Sequence, residues 1–214
     1  MRVKAVVVGP FATNCYIIAP SEGKEAVVVD PGAEAERILS EVKAMGLEVG
    51  LILSTHGHGD HTGAVAWLKE ATGAPYALHS KDIPLLSQAG VARAMTPDFR
   101  DPPEPDRLLK GGDTVPVGEE GLLVLETPGH TPGGVCLYGG GAVFTGDTLF
   151  QGSVGRTDFP GGSHGVLISS ILSKLMVLPE ETVVCPGHGP QTTIGDERRW
   201  NPFLGGRRRP YRFR

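Results

Sequence analysis

One segment of the chain places four side chains of metal-binding type within seven residues: Thr55-His56-Gly57-His58-Gly59-Asp60-His61. An apolar run at residues 50–55 leads into this segment, and a helical pattern at residues 62–71 follows it. This order predicts a β-strand, a glycine-rich loop and a helix, with the polar groups carried by the loop. The segment therefore indicates an α/β protein whose chemistry lies at the end of a strand.

Strand and helix patterns continue on both sides of this segment. Strands are predicted at residues 3–8, 14–19, 26–30, 75–79, 122–126, 134–138, 142–144 and 182–185. Helices are predicted at residues 33–45, 82–88 and 163–178, with Ser163 as the expected N-cap of the last one. Residues 96–105 contain four prolines and no periodicity, which indicates a loop or a lid. The order of these elements favours two sheets sandwiched between helices.

Three further metal-binding side chains also follow predicted strands. They are His130 in Pro128-Gly129-His130, Asp147 in Thr145-Gly146-Asp147 and His188 in Pro186-Gly187-His188-Gly189. Imidazole and carboxylate groups are ligands that zinc, iron and manganese accept, and strand ends hold such groups in fixed positions. The neighbouring glycines allow the tight turns that bring distant ligands to one point.

Together these positions supply seven candidate ligands, which suits two metal ions with three ligands each and one shared bridge. His56 and His58 could share one ion, Asp60 and His61 could face a second, and Asp147 could bridge the two. A single histidine in a glycine-rich turn is more often a capping residue than a ligand. Four compact clusters, each after a predicted strand, are hard to explain as unrelated turns. We therefore predict a centre of two divalent ions, zinc or iron, with manganese as a further option.

The ligand pattern resembles the signature of the metallo-β-lactamase superfamily, and the resemblance extends over nearly the whole chain. It implies an αββα sandwich of two mixed β-sheets flanked by helices, with the metal ions in a shallow cleft at one edge of the sheets. It also implies a role for each candidate: His56, His58 and His130 hold one ion, Asp60, His61 and His188 hold the other, and Asp147 bridges them.

Two segments outside the ligands indicate a branch of this superfamily. Gly155-Arg156-Thr157-Asp158-Phe159 and residues 193–203 resemble the short, single-domain relatives of glyoxalase II, the hydroxyacylglutathione hydrolases. Zinc β-lactamases resemble each other in having Cys at the position of Asp147, which argues against antibiotic hydrolysis. The resemblance implies a thioester substrate of the S-lactoylglutathione type. Arg156 and Asp158 fall where glyoxalase II has a Gly-Lys-Phe-Tyr-like segment, so they are candidate substrate contacts; the alternative is that they pair with each other and fix the loop that borders the site.

For a hydrolase, we expect a metal-bound hydroxide to attack the thioester carbonyl, and Asp60 to pass the proton. An alternative is a persulfide dioxygenase with one iron held by His56, His130 and Asp147, since two histidines and one carboxylate are the ligand type of non-haem iron oxygenases. The Gly-Arg-Thr-Asp part of the 155–159 segment resembles those enzymes. An RNA-processing nuclease is a third, less favoured alternative, because nucleases of the superfamily share the His-X-His-X-Asp-His pattern.

Composition and charge limit the classes of partner. The net charge is −4, but residues 207–214 hold five Arg, so residues 1–206 carry a net charge of −9. We therefore predict one domain at residues 1–206 with an Arg-rich tail at residues 207–214, and the acidic domain disfavours nucleic acid as a partner. No apolar run has the length of a membrane span, and three scattered cysteines suit a cytoplasmic protein. A homodimer is an option for the assembly of the protein.

Several other residues are assigned mainly to the framework of the fold. Asp30 ends a predicted strand and is expected to orient a metal-binding histidine. His79 and His164 are interpreted as structural and surface residues, respectively. Cys136 and Cys185 lie in apolar runs and are interpreted as buried thiols, although a thiolate ligand at Cys185 is conceivable.

Overall fold

Two six-stranded mixed sheets form the centre of the protein in a computed structural model that describes residues 1–205. In spatial order the first sheet contains β1 (Arg2–Val8), β2 (Thr13–Ala19), β3 (Glu25–Val29), β4 (Glu48–Leu53), β5 (Tyr76–His79) and β6 (Arg107–Leu109). The second half of the chain adds β7 (Thr114–Val117), β8 (Glu120–Glu126), β9 (Val135–Gly139), β10 (Ala142–Gly146), β11 (Leu149–Phe150), β12 (Ser153–Val154), β13 (Val183–Pro186) and β14 (Thr192–Thr193). The second sheet has the order β14-β13-β10-β9-β8-β7, and β11 pairs with β12 as a separate hairpin.

Both sheets combine antiparallel and parallel pairs. In the first sheet β1, β2 and β3 are antiparallel neighbours, whereas β3, β4, β5 and β6 run parallel to one another. In the second sheet the pair β10 and β13 is parallel and the other pairs are antiparallel. Because β3 and β4 are parallel, the loops that follow them leave the sheet at the same edge.

Helices cover the outer faces of both sheets. They are α1 (Ala35–Ala44), α2 (Gly59–Thr62), α3 (Val65–Thr72), α4 (Gly90–Met95), α5 (His164–Ser170) and α6 (Ile194–Trp200). Side chains of α1 and α3 pack on the first sheet, and side chains of α5 and α6 pack on the second. The expected αββα sandwich of two mixed sheets is therefore confirmed.

The central core lies between the two sheets and explains the continuous apolar runs in the strands. Val27 and Val29 of β3 point into this core, whereas Val28 points to the helical layer outside. Strand β4 follows the same alternation, because Leu51 and Leu53 face the second sheet while Ile52 faces the helices. A strand that is buried on both faces needs apolar residues at every position, and this gives the unbroken pattern in the sequence.

Several predicted boundaries shift in the structure. The predicted helix 163–178 is α5 followed by a wider helical turn, Ile171–Leu175, and the Ser163 side chain makes no capping hydrogen bond. The predicted helix 82–88 is a 3₁₀ turn at Ser80–Leu85. The short strands β6, β7, β11, β12 and β14 and the helices α4 and α6 were not predicted.

Residues 96–105 form a loop that is anchored behind the candidate site. The Arg100 N–H donates to the Gly63 carbonyl over 3.1 Å, and the Asp98 carboxylate accepts from the Glu34 N–H over 2.9 Å. These bonds tie the loop to the C-terminal end of α2 and to the N-terminal end of α1. Among residues 1–205, no helix is long and apolar enough to cross a lipid bilayer.

Candidate metal centre

The strand-end loops that carry the seven predicted ligands meet in one cleft at the edge of the sandwich. The loops follow β4, β8, β10 and β13. Their donor atoms form three overlapping groups, in each of which all atoms lie within 4.8 Å of one another. The groups are His56, His58 and His130; Asp60, His61 and His188; and His56, His61 and Asp147. We refer to the first group as the three-histidine cluster and to the second as the mixed cluster.

The three-histidine cluster brings three ring nitrogens to one point. The Nδ1 atom of His58 lies 3.1 Å from Nε2 of His56 and 3.0 Å from Nε2 of His130. His56 and His130 are buried, and His58 is half-buried. His58 thus offers Nδ1 to the cluster, whereas the other two histidines offer Nε2.

Hydrogen bonds on the opposite ring nitrogens fix which nitrogen is free. His130 Nδ1 donates to the Arg156 carbonyl over 2.7 Å. His56 Nδ1 lies 3.2 Å from Thr55 Oγ1, and this hydroxyl donates its own hydrogen to Asp30. Nδ1 of His56 is therefore the donor. Nε2 of both histidines keeps the lone pair that a metal ion would use.

The mixed cluster combines two imidazoles with a carboxylate. His61 Nε2 lies 3.2 Å from His188 Nε2, and Asp60 Oδ2 lies 3.3 Å from the same His188 atom. His188 Nδ1 donates to the Phe11 carbonyl over 3.0 Å, so this ring also presents Nε2 to the cluster. The His61 side chain is completely buried, whereas those of His188 and Asp60 are 26% and 20% exposed and open the cleft to solvent.

The carboxylate of Asp147 lies between the two clusters. Its Oδ1 atom is 3.3 Å from His61 Nε2 and 3.5 Å from His188 Nε2, while its Oδ2 atom is 3.6 Å from His130 Nε2. Oδ1 is buried, yet no group in residues 1–205 donates a hydrogen bond to it. Buried polar atoms are normally satisfied, so this orphaned oxygen fits a metal ligand. At Gly187, a Cβ atom would lie only 2.6 Å from the same oxygen, so this position requires glycine.

The two clusters differ in the proton affinity of their imidazoles. Burial and the neighbouring imidazoles lower the pKa of His58 to about 4, and they also lower the pKa of His56. In the mixed cluster, burial opposes the charged form of His61, but Asp147 and Asp30 outweigh it and raise the pKa of His61. Burial likewise opposes the shift at His188, where Asp60 raises the pKa.

The two carboxylates beside these imidazoles are ionised at neutral pH. Burial would raise the pKa of Asp147, but His61 and His188 hold it below its ordinary value. Asp60 is affected in the same way, since His61 and His188 lower its pKa despite burial. The carboxylates and the imidazoles thus stabilise each other's charged forms.

Asp30 lies directly behind the ligand loop, where it was expected to orient a histidine. Its carboxylate accepts hydrogen bonds from the Thr55 N–H at 2.7 Å and from Thr55 Oγ1 at 2.8 Å. The same carboxylate lies 3.1 Å from Nδ1 of His61. Asp30 has a positive φ of 54°, a conformation that Asp tolerates better than most residues. This arrangement links Asp30 to both ends of the 55–61 segment.

Arg156, Asp158 and Phe159 form a rim beside the three-histidine cluster. The Arg156 guanidinium makes two hydrogen bonds with the Asp158 carboxylate, 3.0 and 2.8 Å long, and both side chains are about two-thirds exposed. The same guanidinium stacks 4.4 Å from the centre of the Phe159 ring. That ring lies 5.4 Å from the ring of His58. The rim therefore presents an aromatic face and a charged pair at the mouth of the cleft.

The residues that the sequence assigns to the framework lie outside both clusters. The Lys81 N–H donates to His79 Nδ1, and His164 is exposed on α5. Cys136 and Cys185 are buried, and burial raises the pKa of their thiols to about 11 and about 12. The predicted Arg-rich tail, residues 207–214, lies outside the described residues.

Sequence reasoning missed two buried polar residues that hold the ligand loops. Asn14 on β2 donates through Nδ2 to the carbonyls of Pro186 and Gly189, both at 2.9 Å, on either side of His188. Asp82 contacts the loops of the three-histidine cluster. A polar residue in the otherwise apolar β2 is the one sequence signal for Asn14. Asp82 gives no such signal, because its partners are distant along the chain.

A family model described as the metallo-beta-lactamase superfamily matches residues 8–188. The hydroxyacylglutathione hydrolase GloC of Haemophilus influenzae is 40% identical over 210 residues, which covers 95% of this chain and 98% of GloC. The crystal structure of TTHA1623 in a di-iron-bound form is 46% identical, with a TM-score of 0.85 and coverage of 94% of this chain and all of that chain. The crystal structure of the BLEG-1 B3 metallo-beta-lactamase is 40% identical, with a TM-score of 0.88 and coverage of 96% and 100%.

Proposed function

Because the chain belongs to the metallo-beta-lactamase superfamily, we propose that it is a metal-dependent hydrolase of thioesters of the S-lactoylglutathione type. The proposal places two divalent ions in the cleft, one at the three-histidine cluster and one at the mixed cluster. Asp147 would be shared between them. The similarity to GloC supports the thioester substrate, and the di-iron form of TTHA1623 supports a dinuclear centre.

The observation that carries the proposal is the position of the Asp147 carboxylate. Oδ1 is directed to the nitrogens of the mixed cluster and Oδ2 to His130 of the three-histidine cluster. A carboxylate that faces two ligand groups in this way is placed to be shared between two ions. Bound at these positions, the ions would activate a water molecule for attack and polarise the carbonyl of the substrate.

The residues around the clusters prepare the site for this chemistry. Hydrogen bonds from Nδ1 of His56, His130 and His188 keep Nε2 of each ring directed into the cleft. Asp60 is partly exposed and ionised, so its carboxylate can accept the proton that leaves the attacking water. No serine or cysteine nucleophile is required, and all three cysteines are buried.

The rim formed by Arg156, Asp158 and Phe159 is the proposed substrate contact. The Phe159 ring is 39% exposed beside His58, which suits packing against an apolar part of the substrate. Arg156 offers a cation for an anionic group of the thiol portion. To bind this group, its guanidinium would release the Asp158 carboxylate. Recognition would therefore involve both an aromatic surface and a charge.

A second candidate is the persulfide dioxygenase with a single iron at His56, His130 and Asp147. It is favoured by the Gly155-Arg156-Thr157-Asp158 segment and by the iron in the similar TTHA1623 structure. The mixed cluster would then have no metal ion, and its three donor groups would converge without a ligand. We favour the hydrolase because both clusters have the donor geometry of a metal site.

The deciding experiment combines metal analysis of the purified protein with a panel of three substrates. We expect two ions per chain and hydrolysis of S-D-lactoylglutathione. One iron per chain, together with oxygen consumption on glutathione persulfide, would establish the dioxygenase instead. A β-lactam is the third substrate, because the BLEG-1 structure is so similar. Hydrolysis of the lactam without hydrolysis of the thioester would contradict the proposal.

A further inference from the structure

Asp82 is a fully buried carboxylate that is not part of either cluster. It lies in the 3₁₀ turn Ser80–Leu85, after a strand that carries no predicted ligand. Its Oδ2 atom accepts hydrogen bonds from the Gly57 N–H at 3.0 Å and from Thr131 Oγ1 at 2.7 Å. Its Oδ1 atom accepts from the Gly133 N–H at 2.6 Å. Three donors thus surround one buried carboxylate.

All three donors are near the imidazoles of the three-histidine cluster. Gly57 lies between His56 and His58 along the chain, and Thr131 directly follows His130. One carboxylate therefore joins the two loops that supply the whole of this cluster. The mixed cluster is held by other contacts. Ser54 Oγ donates to the carbonyl of His61, and Asn14 holds the loop of His188.

The packing around Asp82 leaves little room for the two loops to separate or shift. At Gly133, a Cβ atom would lie 2.7 Å from Asp82 Oδ1 and 2.9 Å from its Cγ. Gly57 is similarly close, since a Cβ there would meet the Asp82 carbonyl at 2.6 Å. The loop backbones therefore rest directly on this residue, and a change in its hydrogen bonding moves them.

A buried carboxylate can also serve the stability of the fold alone, and Glu197 is such a case. It accepts hydrogen bonds from Thr192 Oγ1 at 2.7 Å, the Gly152 N–H at 2.8 Å and Asn201 Nδ2 at 2.8 Å. These bonds join α6 to the turn between β11 and β12, and none of them reaches a ligand loop of the three-histidine cluster. Asp82 and Glu197 thus accept the same number of hydrogen bonds in two different places, with an Asn side chain replacing one backbone N–H donor at Glu197.

We propose that Asp82 is a positioning residue that sets the metal affinity of the three-histidine cluster and leaves that of the mixed cluster unchanged. The inference rests on the proposed metal centre and concerns one half of it. Metal ligands depend on the groups that orient them, and loss of such a group typically lowers metal affinity by about 10–100-fold. Asp82 acts on three ligands at once through their loops, so its loss should lie in that range.

The first test compares Asp82→Asn with Glu197→Gln by equilibrium dialysis of the metal-free proteins against buffered zinc. The amide of Asn places an NH₂ group against an N–H or O–H donor in either orientation, so at least one bond is lost. We expect one of the two ions to bind about 10–100-fold more weakly in Asp82→Asn. Both ions should bind Glu197→Gln as they bind the wild type. Equal weakening of both ions by Asp82→Asn, or no weakening, would overturn the proposal.

Double variants identify the ion that is affected. In a His188→Ala background the three-histidine cluster is the intact one, and Asp82→Asn should weaken the remaining ion as strongly as in the wild type. In a His58→Ala background the mixed cluster is the intact one, and Asp82→Asn should have no further effect. The opposite pattern would assign Asp82 to the mixed cluster and contradict the inference.

A milder pair of variants covers the case in which Asp82→Asn does not fold. Thr131→Val keeps the shape of the buried side chain but removes the hydroxyl that donates to Asp82, and Thr131→Ser keeps the hydroxyl. We expect several-fold weaker binding of one zinc ion in Thr131→Val and wild-type binding in Thr131→Ser. Identical zinc binding by these two variants would refute the role of the bond. All of these tests measure zinc binding and are independent of thioester hydrolysis. A protein that binds zinc as expected but does not hydrolyse thioesters would therefore refute the proposed function alone.

Discussion

The three-histidine cluster and the mixed cluster lie side by side, yet they hold their protons differently. Burial and like neighbours lower the pKa of His58 to about 4 and also lower the pKa of His56, so both of these imidazoles are neutral at pH 7. Carboxylates raise the pKa of His61 and His188, so the imidazoles of the mixed cluster hold protons more strongly than those of His56 and His58 do. The same side-chain type thus gives two kinds of site, and the neighbours decide which one.

The two clusters are therefore expected to bind metal ions in different ways. A cation that enters the three-histidine cluster finds lone pairs that are already free, and its affinity depends on how accurately the rings are placed. A cation that enters the mixed cluster must displace protons, and its affinity depends on pH. Metal affinity is therefore controlled mainly by ring placement in the three-histidine cluster and mainly by charge in the mixed cluster.

The largest effect is expected for Asp147→Ala, because this residue belongs to both halves. Its loss should lower thioester hydrolysis by ~10³-fold or more, since several kcal/mol of charge stabilisation are removed. Metal analysis should find fewer than two ions per chain. Glu180→Ala serves as the control, because it removes an exposed carboxylate that pairs with Arg198 and Arg199 and belongs to neither cluster. Full activity of Asp147→Ala would show that the two clusters do not share a carboxylate.

The next largest effect is expected for variants that remove one ligand from either the three-histidine cluster or the mixed cluster. His58→Ala should lose the ion of the three-histidine cluster and keep that of the mixed cluster, and His188→Ala should do the reverse. Each variant should retain one ion per chain, with hydrolysis lowered by ~10²-fold, the scale of losing one charge-stabilising group. Metal analysis and steady-state kinetics provide the measurement. Loss of both ions in either variant would mean that the clusters form one cooperative unit.

The pH dependence of zinc affinity should distinguish the halves in these same variants. A raised pKa keeps the proton on His61 up to higher pH, so protons compete with zinc at the mixed cluster as the pH falls from 8 to 6. The lowered pKa of His58 moves the competition between protons and zinc at this residue to about pH 4. Zinc affinity of His58→Ala should fall by up to about tenfold per pH unit for each displaced proton. Dialysis at several pH values should show a smaller change for His188→Ala, and equal slopes would remove the distinction.

The sequence predicts the candidate ligands of both clusters and Asp30 behind them, but not the other buried carboxylates that hold the surrounding loops. Each ligand lies within a few residues of a strand end, and an apolar run followed by Gly and His is a local pattern. Asp82 and Glu197 are single polar residues whose partners are distant along the chain. Asp82 bonds Thr131, 49 positions away, and Glu197 bonds Gly152, 45 positions away. Local patterns carry no information about such pairs.

Local sequence patterns also predict only part of the fold. The long buried strands were predicted, since burial on both faces gives unbroken apolar runs such as Leu51-Ile52-Leu53. Strands β6 and β7 escaped prediction because they have three and four residues, and β7 contains Pro116. Both lie at sheet edges, where pairing on one side is enough and proline is tolerated. Their strand conformation is set by the neighbouring strand rather than by their own composition.

The smallest effect concerns the rim beside the three-histidine cluster, where the Arg156–Asp158 pair has two interpretations. If Arg156 binds an anionic group of the substrate, Arg156→Ala should raise KM by a few-fold, whereas Asp158→Ala should lower KM because it frees the guanidinium. If the pair only fixes the loop, both variants should raise KM equally. The control is Arg199 of α6, which forms an exposed ion pair with Glu180. Arg199→Ala removes this pair and should leave KM unchanged. Since exposed pairs contribute little to stability, the Tm of all three variants should stay at the wild-type value. Opposite signs in KM would make Arg156 a substrate contact, and the aromatic face of Phe159 would then be the next surface to change.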